Sequence, residues 1–122
     1  DDAVTLPVMA LGGVGLISVV SNEIPLEMAR MVALCRADEF AAARAIHRRY
    51  HPLMEVNFVE SSPGPVKAAL GMMGLLEPHY RLPMVTPQPE TLRQIEKVLL
   101  DLELLAARQL ESETLAMPLK AF

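Results

Sequence analysis

Aromatic residues are scarce in this sequence of 122 residues, which contains no tryptophan, three phenylalanines and two tyrosines. Because 52% of the residues are nonetheless hydrophobic, we expect a core made of aliphatic and methionine side chains. Basic residues are also in the minority, since 11 Lys and Arg stand against 15 Asp and Glu and give a net charge of −4. The composition therefore argues against a nucleic-acid partner, because phosphate contacts require clustered positive charge.

The sequence also lacks a second cysteine and a long uninterrupted apolar run. Cys35 cannot form a disulfide within the chain, which favours a reducing compartment, and its apolar neighbours predict a buried, unreactive thiol. The longest apolar stretch, residues 7–20, is interrupted by glycines and is too short to span a bilayer. Because no signal peptide is recognisable either, we expect a soluble, cytoplasmic protein.

One β-strand is predicted, at residues 15–20, in a chain whose other patterns are helical. Its nearly continuous apolar character is typical of a parallel strand that is buried on both faces. A short helix at residues 5–11, closed by glycines at residues 12–13, precedes it. Since a lone strand leaves its backbone donors and acceptors unpaired, we expect parallel partner strands outside this chain. The sequence starts at Asp1 without an initiating Met, which also favours a piece of a longer protein.

Four helices are predicted after the strand. Residues 24–36 carry an apolar stripe behind an N-cap at residues 21–22, and Asp38 is predicted to cap a helix over residues 39–58, which Pro52 should kink or split. A short helix at residues 66–73 and a last helix that begins at residues 86–87 are separated by an irregular connection. The predicted core of the helices after residue 38 has eight members: Phe40, Ile46, Leu53, Leu70, Leu92, Ile95, Leu99 and Leu102.

Several side-chain groups suggest chemistry but have simpler interpretations. His47, His51 and Glu55 share a spacing that suits one helix face, yet neighbouring arginines and Pro52 favour an ion-paired, solvated face over a metal site. The glycines at residues 12–15 lack the lysine and hydroxyl of a phosphate-binding loop and precede a strand, so they predict a turn. Lys67 is either solvated or has a packing, anion-holding or salt-bridge role.

Motifs in a fixed order over residues 1–105 resemble the C-terminal part of the dihydrodipicolinate synthase family of pyruvate-dependent, Schiff-base-forming aldolases and lyases. The matching segments are residues 1–3, 11–19, 22, 25, 38–44, 58–60, 63–70, 74–75 and 81–84. Residues 62–67 depart from the usual Asn-Pro-Ile-Pro-Val-Lys. Residues 102–105 read Leu-Glu-Leu-Leu where the family usually has Leu-Gly-Leu-Leu, and we expect the last helix to continue from there into an extra tail.

The resemblance implies an α/β fold, namely the C-terminal piece of a (β/α)₈ TIM barrel followed by a small all-helical domain. Residues 1–37 would supply the seventh helix and the eighth strand and helix, residues 38–111 the helical domain, and residues 112–122 a loosely held tail. The family condenses pyruvate, held as a Schiff base on a lysine, with aspartate semialdehyde in lysine biosynthesis. The catalytic lysine and tyrosines would precede Asp1. No catalytic residue is therefore expected here, and three lysines in helical or tail segments are excluded from that role: Lys67, Lys97 and Lys120.

The resemblance carries one site residue onto this chain, Ile17, whose backbone carbonyl would face the bound pyruvate. Asp1, Asp2 and Asn22 would lie at the barrel mouth, because the reaction face of such barrels is built from strand ends and the loops after them. We expect no metal and no cofactor. The expected partners are the rest of the polypeptide, both substrates and further copies in a homodimer or homotetramer, without nucleic acid or membrane.

Two alternatives to the synthase stay open at this point. The first is an N-acetylneuraminate or sugar-acid lyase of the same superfamily, whose substrate choice would be determined by strands outside this chain. The second is a non-catalytic helical interaction module that covers its strand by oligomerising, since methionine-rich stripes suit adaptable partner surfaces.

Overall fold

The computed structural model describes residues 1–105, which form five α-helices. These are α1 (Thr5–Ala10), α2 (Pro25–Arg36), α3 (Phe40–Val56), α4 (Gly64–Met72) and α5 (Pro89–Asp101). Single 3-10 turns at Asp2–Val4 and Val20–Asn22 precede α1 and α2. Within these 105 residues, no helix has both the length and the apolarity that crossing a membrane requires. The predicted tail at residues 112–122 lies outside the described residues.

The strand predicted at residues 15–20 is not formed. Residues 13–18 have no regular secondary structure, and Val20 already begins a 3-10 turn. Within the described part of the chain, no backbone hydrogen bond connects residues 14–17 to another segment. The physical reason is that a β-strand is defined by ladder hydrogen bonds to a neighbouring strand, and residues 1–105 provide none. Pairing with strands outside the chain stays a prediction.

The first 26 residues expose an unusual amount of apolar surface. Six large apolar side chains in this part are exposed: Val4, Val8, Leu11, Val14, Ile17 and Leu26. Ile17 has its full accessible surface, and Leu11 is 90% exposed. Exposed apolar residues are ordinary when scattered, but a concentration of this kind is typical of a surface that another segment or subunit covers.

Four of the five described helices end in the Schellman motif, in which the two amides after the helix donate back to carbonyls of its last turn. The residue after the C-cap then adopts a positive φ, as Gly12 does at +98° and Gly74 at +66°. α2 and α5 use Asp38 (+63°) and Glu103 (+61°) in this position. Because a Cβ crowds the backbone at such angles, these two ends are strained in comparison with the glycine ends.

Three predictions about helix boundaries are wrong, and a fourth is wrong in one of its two alternatives. Asp38 does not cap α3 but ends α2, because its positive φ allows the backbone to reverse there. Residues 21–22 do not cap α2 either, since they lie in a 3-10 turn and Ile24 is the N-cap. α3 is not split at Pro52, so of the two predicted effects of this proline only the kink stays a prediction. Pro52 lies on the exposed face of α3, where water can bind the carbonyl that proline leaves unpaired. The last helix does not continue into a tail but ends before Glu103.

The core contains residues from all the helices and is aliphatic and methionine-rich, as the composition predicts. Its fully buried side chains include Met28, Met31, Leu53, Met54, Ile95 and Leu99. Of the eight predicted core residues, Leu53, Ile95, Leu99 and Leu102 are buried, while Phe40, Ile46, Leu70 and Leu92 are half-buried. Cys35 is buried and free in this core, and burial raises the pKa of its thiol, which favours the unreactive interpretation. α2 packs extensively on α3, so the core continues across the predicted boundary at residue 37.

Leu99 tests the burial of α5. Leu99→Ala should lower the free energy of unfolding by about 2–5 kcal/mol, because the side chain is completely buried and its removal leaves a cavity. Leu100→Ala is the matched control on the same helix, since Leu100 is 50% exposed, and it should change stability by about 0.5 kcal/mol or less. Urea unfolding of the 122-residue chain measures both. Equal losses for the two variants would contradict this orientation of α5.

Glu103 tests the strained end of α5. Glu103→Gly should raise the free energy of unfolding by about 0.5–1 kcal/mol, because glycine adopts the positive φ without steric crowding. Glu103→Ala is the control: it also removes the exposed pair with Arg49, at 3.8 Å, but keeps the crowding. Urea unfolding should therefore rank Gly above both Glu and Ala. An alanine variant as stable as the glycine variant would mean that strain at this helix end is negligible.

Candidate functional site

The strand-end loop, residues 18–22, follows the predicted strand and is fixed by its own side chains. The Ser21 amide donates to Ser18 Oγ at 2.9 Å, and Ser21 Oγ donates back to the Ser18 carbonyl at 3.2 Å. Asn22 Nδ2 donates to the carbonyl of Val19 at 2.8 Å. These three bonds hold the backbone directly after Ile17 in one conformation.

Asp2 fixes the same loop from the other side. Its Oδ2 atom accepts hydrogen bonds from the amides of Val19 and Val20, both at 3.0 Å, and only 2% of the residue is exposed. Thr5 Oγ1 donates to the Asp2 carbonyl at 2.7 Å and so anchors the Asp2 backbone to α1. A carboxylate that accepts backbone amides forms charge-assisted bonds, which are about twice as strong as neutral ones.

Glu23 is a second buried acid beside the loop. Its Oε2 atom accepts a hydrogen bond from Nδ2 of Asn57, the C-cap residue of α3, at 2.6 Å, and both residues are buried. Burial raises the pKa of Glu23 from 4.5 to about 8, with a further upward contribution from the Asp2 carboxyl and a downward one from Asn57. At neutral pH the Glu23 carboxyl is therefore mostly protonated.

Three buried acceptor atoms of this acid cluster (Asp2, Glu23 and Asn57) have no partner among the described residues: Asp2 Oδ1, Glu23 Oε1 and Asn57 Oδ1. A cluster of acceptors needs donors, because an unpaired buried polar atom costs about 1–3 kcal/mol. The proton that Glu23 retains supplies one donor. Burial is the common cause: it raises the pKa of Glu23, and it removes the water that would otherwise donate to these acceptor atoms.

The four predicted site residues, Asp1, Asp2, Ile17 and Asn22, differ in their contacts and in their burial. Asp2 and Asn22 come together on Val19, one at its amide and the other at its carbonyl. Asp1 is exposed at the start of the chain, and the side chain of Ile17 is completely exposed. Only Asp2 is buried.

Glu23 and Asn57 were not among the residues predicted for the site. Asn57 lies one helical turn after the core residue Leu53 and is buried, whereas Phe58, the last residue of the predicted helix, is 41% exposed. A polar residue at a core position was the available signal for Asn57. No comparable signal marks Glu23, which lies between a turn residue and the N-cap of α2.

His47, His51 and Glu55 lie on one face of α3, and the outer two of them, His51 and Glu55, form a solvated pair. His51 Nε2 lies 3.8 Å from Glu55 Oε1, and the His47 and His51 rings are edge-to-face at 5.2 Å between centroids. Burial, and secondarily His51, lower the pKa of His47. In residues 1–105, no group of three or more His, Cys, Asp or Glu side chains is arranged to hold a metal ion.

Of the roles predicted for Lys67, the structure favours packing. Its Nζ atom donates to the carbonyl of His79 and lies 5.6 Å from the centroid of the Tyr80 ring. Both contacts join α4 to the irregular connection that follows it. Cation–π contacts of this kind contribute about 0.5–1 kcal/mol at exposed sites.

Comparison with known proteins identifies the family. The family described as the dihydrodipicolinate synthetase family matches residues 1–102. The chain belongs to this family. The 4-hydroxy-tetrahydrodipicolinate synthase of Koribacter versatilis is 53% identical over 98 residues, which are 80% of this chain and 33% of that protein. The synthase of Acidobacterium capsulatum is 51% identical over 105 residues, which cover 86% of this chain and 35% of that protein.

Solved structures of the dihydrodipicolinate synthetase family superpose on this chain. A structure described as dihydrodipicolinate synthase (dapA) has a TM-score of 0.83 at 45% identity and covers 85% of this chain, which matches 36% of that one. The Thermotoga maritima synthase has a TM-score of 0.82 at 39% identity, with 85% of this chain and 35% of that chain covered. These relatives are TIM barrels, and the chain spans about a third of their length. The predicted fold class, part of such a barrel with helices after it, is confirmed.

The raised pKa of Glu23 predicts how stability depends on pH. The folded chain retains the Glu23 proton up to about pH 8, whereas the unfolded chain releases it near pH 4.5. Folded protein therefore binds more protons between these values, and the free energy of unfolding should fall with rising pH by a total on the order of a few kcal/mol. Urea unfolding of the 122-residue chain at a series of pH values between 4 and 9 measures the slope.

Two variants isolate the Glu23 contribution. Glu23→Gln keeps the shape and the donor but cannot titrate, so the fall in stability between these pH values should largely disappear. Glu96→Gln, on the exposed face of α5, should leave it unchanged. A Glu23→Gln variant with the same pH slope as the unaltered chain would assign the slope to other groups.

Proposed function

We propose that this chain is the C-terminal third of a 4-hydroxy-tetrahydrodipicolinate synthase, a lyase that condenses pyruvate with aspartate semialdehyde. The observation that carries the proposal is the match itself: the family covers residues 1–102, while the chain spans only about a third of its relatives. The remaining two thirds would supply the other barrel strands, with the lysine that forms the Schiff base and the tyrosine that transfers protons.

The lysines described here are unsuited to the Schiff-base role. Carbinolamine formation requires a neutral amine that is directed into a closed pocket. Lys97 is on an exposed face of α5 and pairs with Asp101 at 2.5 Å, while Lys67 is held by the His79 carbonyl and the Tyr80 ring. Lys120 lies outside the described residues. This chain would contribute binding and support to the site, and another part of the protein the nucleophile.

Ile17 is the residue through which this chain would bind pyruvate. Its backbone carbonyl belongs to the segment whose end is fixed by the strand-end loop, so the loop would hold that carbonyl at a constant position. Asp1 and Asn22, both exposed, would border the mouth of the barrel. Barrel active sites are built at this end of the strands, which supports the assignment.

The exposed apolar side chains of residues 4–26 would be covered by the rest of the barrel. In this proposal, residues 15–18 become the eighth strand by pairing in parallel on both edges. A homodimer or homotetramer in the cytoplasm completes the proposed assembly, although one solved relative with 39% identity is described as a monomeric synthase variant.

The names of the relatives favour the synthase over a sugar-acid lyase, because each relative compared above is a 4-hydroxy-tetrahydrodipicolinate or dihydrodipicolinate synthase. The family match over most of the chain likewise favours part of an enzyme over an independent interaction module.

A chimera tests the proposed function. Replacing the 98 matched residues of the Koribacter versatilis synthase by the corresponding residues of this chain should retain synthase activity within about tenfold of that enzyme, because the borrowed barrel strands supply the chemistry. Incubation with pyruvate and borohydride, followed by peptide mass analysis, should modify one lysine in the borrowed part. The activity assay couples product formation to an NADPH-dependent reductase.

The isolated 122-residue chain is the control for the chimera and should gain no mass under the same treatment. A folded chimera without activity would contradict the proposal. A stoichiometric modification of Lys67, Lys97 or Lys120 in the isolated chain would contradict it too, since the nucleophile would then lie here.

A further inference from the structure

We propose that Asp2 is a positioning residue for pyruvate binding: its carboxylate fixes the backbone that carries the Ile17 carbonyl, and it acts without contacting the substrate. This inference rests on the proposed function, because it concerns the site to which Ile17 would contribute. The geometry that supports it is the pair of 3.0 Å bonds from Val19 and Val20 to one carboxylate oxygen.

The position of these two bonds along the chain is what makes Asp2 relevant to Ile17. Val19 lies only two residues after Ile17, and each residue spans at most about 3.5 Å, so the anchored amides and the Ile17 carbonyl belong to one short backbone segment. Ser18, between them, is itself held by Ser21. Only the two backbone torsions of Ser18 separate the anchored Val19 amide from the peptide group that carries the Ile17 carbonyl, so fixing Val19 restricts where that carbonyl can lie.

Burial excludes Asp2 from direct contact with a substrate. Only 2% of the residue is exposed, and its second carboxylate oxygen, Oδ1, is also buried. Both are buried even though the large apolar side chains of residues 4–26 remain exposed. The side chain is thus covered by its own chain, before any other barrel strand is added. A substrate-binding acid at a barrel mouth would retain an accessible oxygen.

Glu23 and Asn57 extend the support of Asp2 to the helices. Asn57 ends α3 and bonds to Glu23, whose carboxyl lies close enough to Asp2 to raise its own pKa. Burying such a group of polar side chains is unfavourable compared with an apolar replacement of the same shape. The 3-10 turn that carries Asp2 also packs on α3, so the cluster lies between Asp2 and the end of that helix.

The chemistry of the two bonds provides a diagnostic pair of variants. Both amides donate to the same oxygen, so Asp2→Asn can preserve both bonds through its single carbonyl oxygen. Asp2→Leu has nearly the same shape but no acceptor. In the chimera, we expect Asp2→Leu to raise KM for pyruvate by about tenfold or more with a smaller change in kcat, and Asp2→Asn to stay within about threefold.

Asp2→Glu and a stability control, Leu99→Ala, complete the set of variants. Asp2→Glu keeps the charge but displaces the oxygens by one methylene, and should raise KM for pyruvate to an intermediate extent. Leu99→Ala, in the core of α5 and outside the strand-end loop, should lower the melting temperature while leaving KM unchanged. Should Asp2→Leu fail to fold, the contrast between Asp2→Glu and Asp2→Asn tests the same claim.

Hydrogen exchange separates this inference from the proposed function. In the 122-residue chain, NMR should show faster exchange of the Val19 and Val20 amides in Asp2→Leu than in Asp2→Asn, whether or not the chain belongs to a synthase. An inactive unaltered chimera with this exchange pattern would contradict only the proposed function. An active chimera in which Asp2→Leu leaves KM unchanged would contradict the positioning role, as would an Asp2→Asn variant as impaired as Asp2→Leu.

Discussion

The carboxylate of Asp2 accepts hydrogen bonds from two consecutive backbone amides and fixes the chain where the segment without regular secondary structure ends. Residues 14–17 have no neighbouring strand within the described chain, so the start of the strand-end loop is the first point at which the backbone is fixed. From Val20 onward the chain turns into α2, and through Glu23 and Asn57 the same cluster reaches the end of α3. Two buried acids thus act in sequence: Asp2 binds the backbone at the turn before α2, and Glu23, directly after that turn, binds the end of α3.

Burial of two acids close together requires that one of them stay neutral, because two buried like charges repel and neither is hydrated. Glu23 is the neutral one at pH 7, since burial raises its pKa to about 8. Its proton also supplies a donor to a cluster with three unpartnered acceptor atoms. The buried Asp2 carboxyl therefore both fixes the backbone at Val19 and Val20 and contributes to keeping Glu23 protonated.

Much of the helical architecture follows from the sequence, because apolar residues at spacings of three and four mark α2, α3 and α5, and glycines mark the ends of α1 and α4. The ends at Asp38 and Glu103 could not be predicted, since acids at a positive φ have no local sequence signal and are imposed by the packing of the helices on either side. The site was predicted only in part. The acids at residues 1–2 were recognised through the family resemblance, but the burial of Asp2 against Val19 and Val20 depends on a tertiary contact across 17 and 18 residues.

Residues 15–18 are where we can test whether this chain completes a barrel whose other strands lie elsewhere in the protein. Amide hydrogen exchange, measured by mass spectrometry on the isolated chain and on the chimera with the Koribacter versatilis synthase, follows these residues in both states. We expect rapid exchange in the isolated chain and strong protection in the chimera, because only there can the segment pair with strands on its two edges. Equally rapid exchange in a folded chimera would contradict the claim that residues 15–18 form a barrel strand.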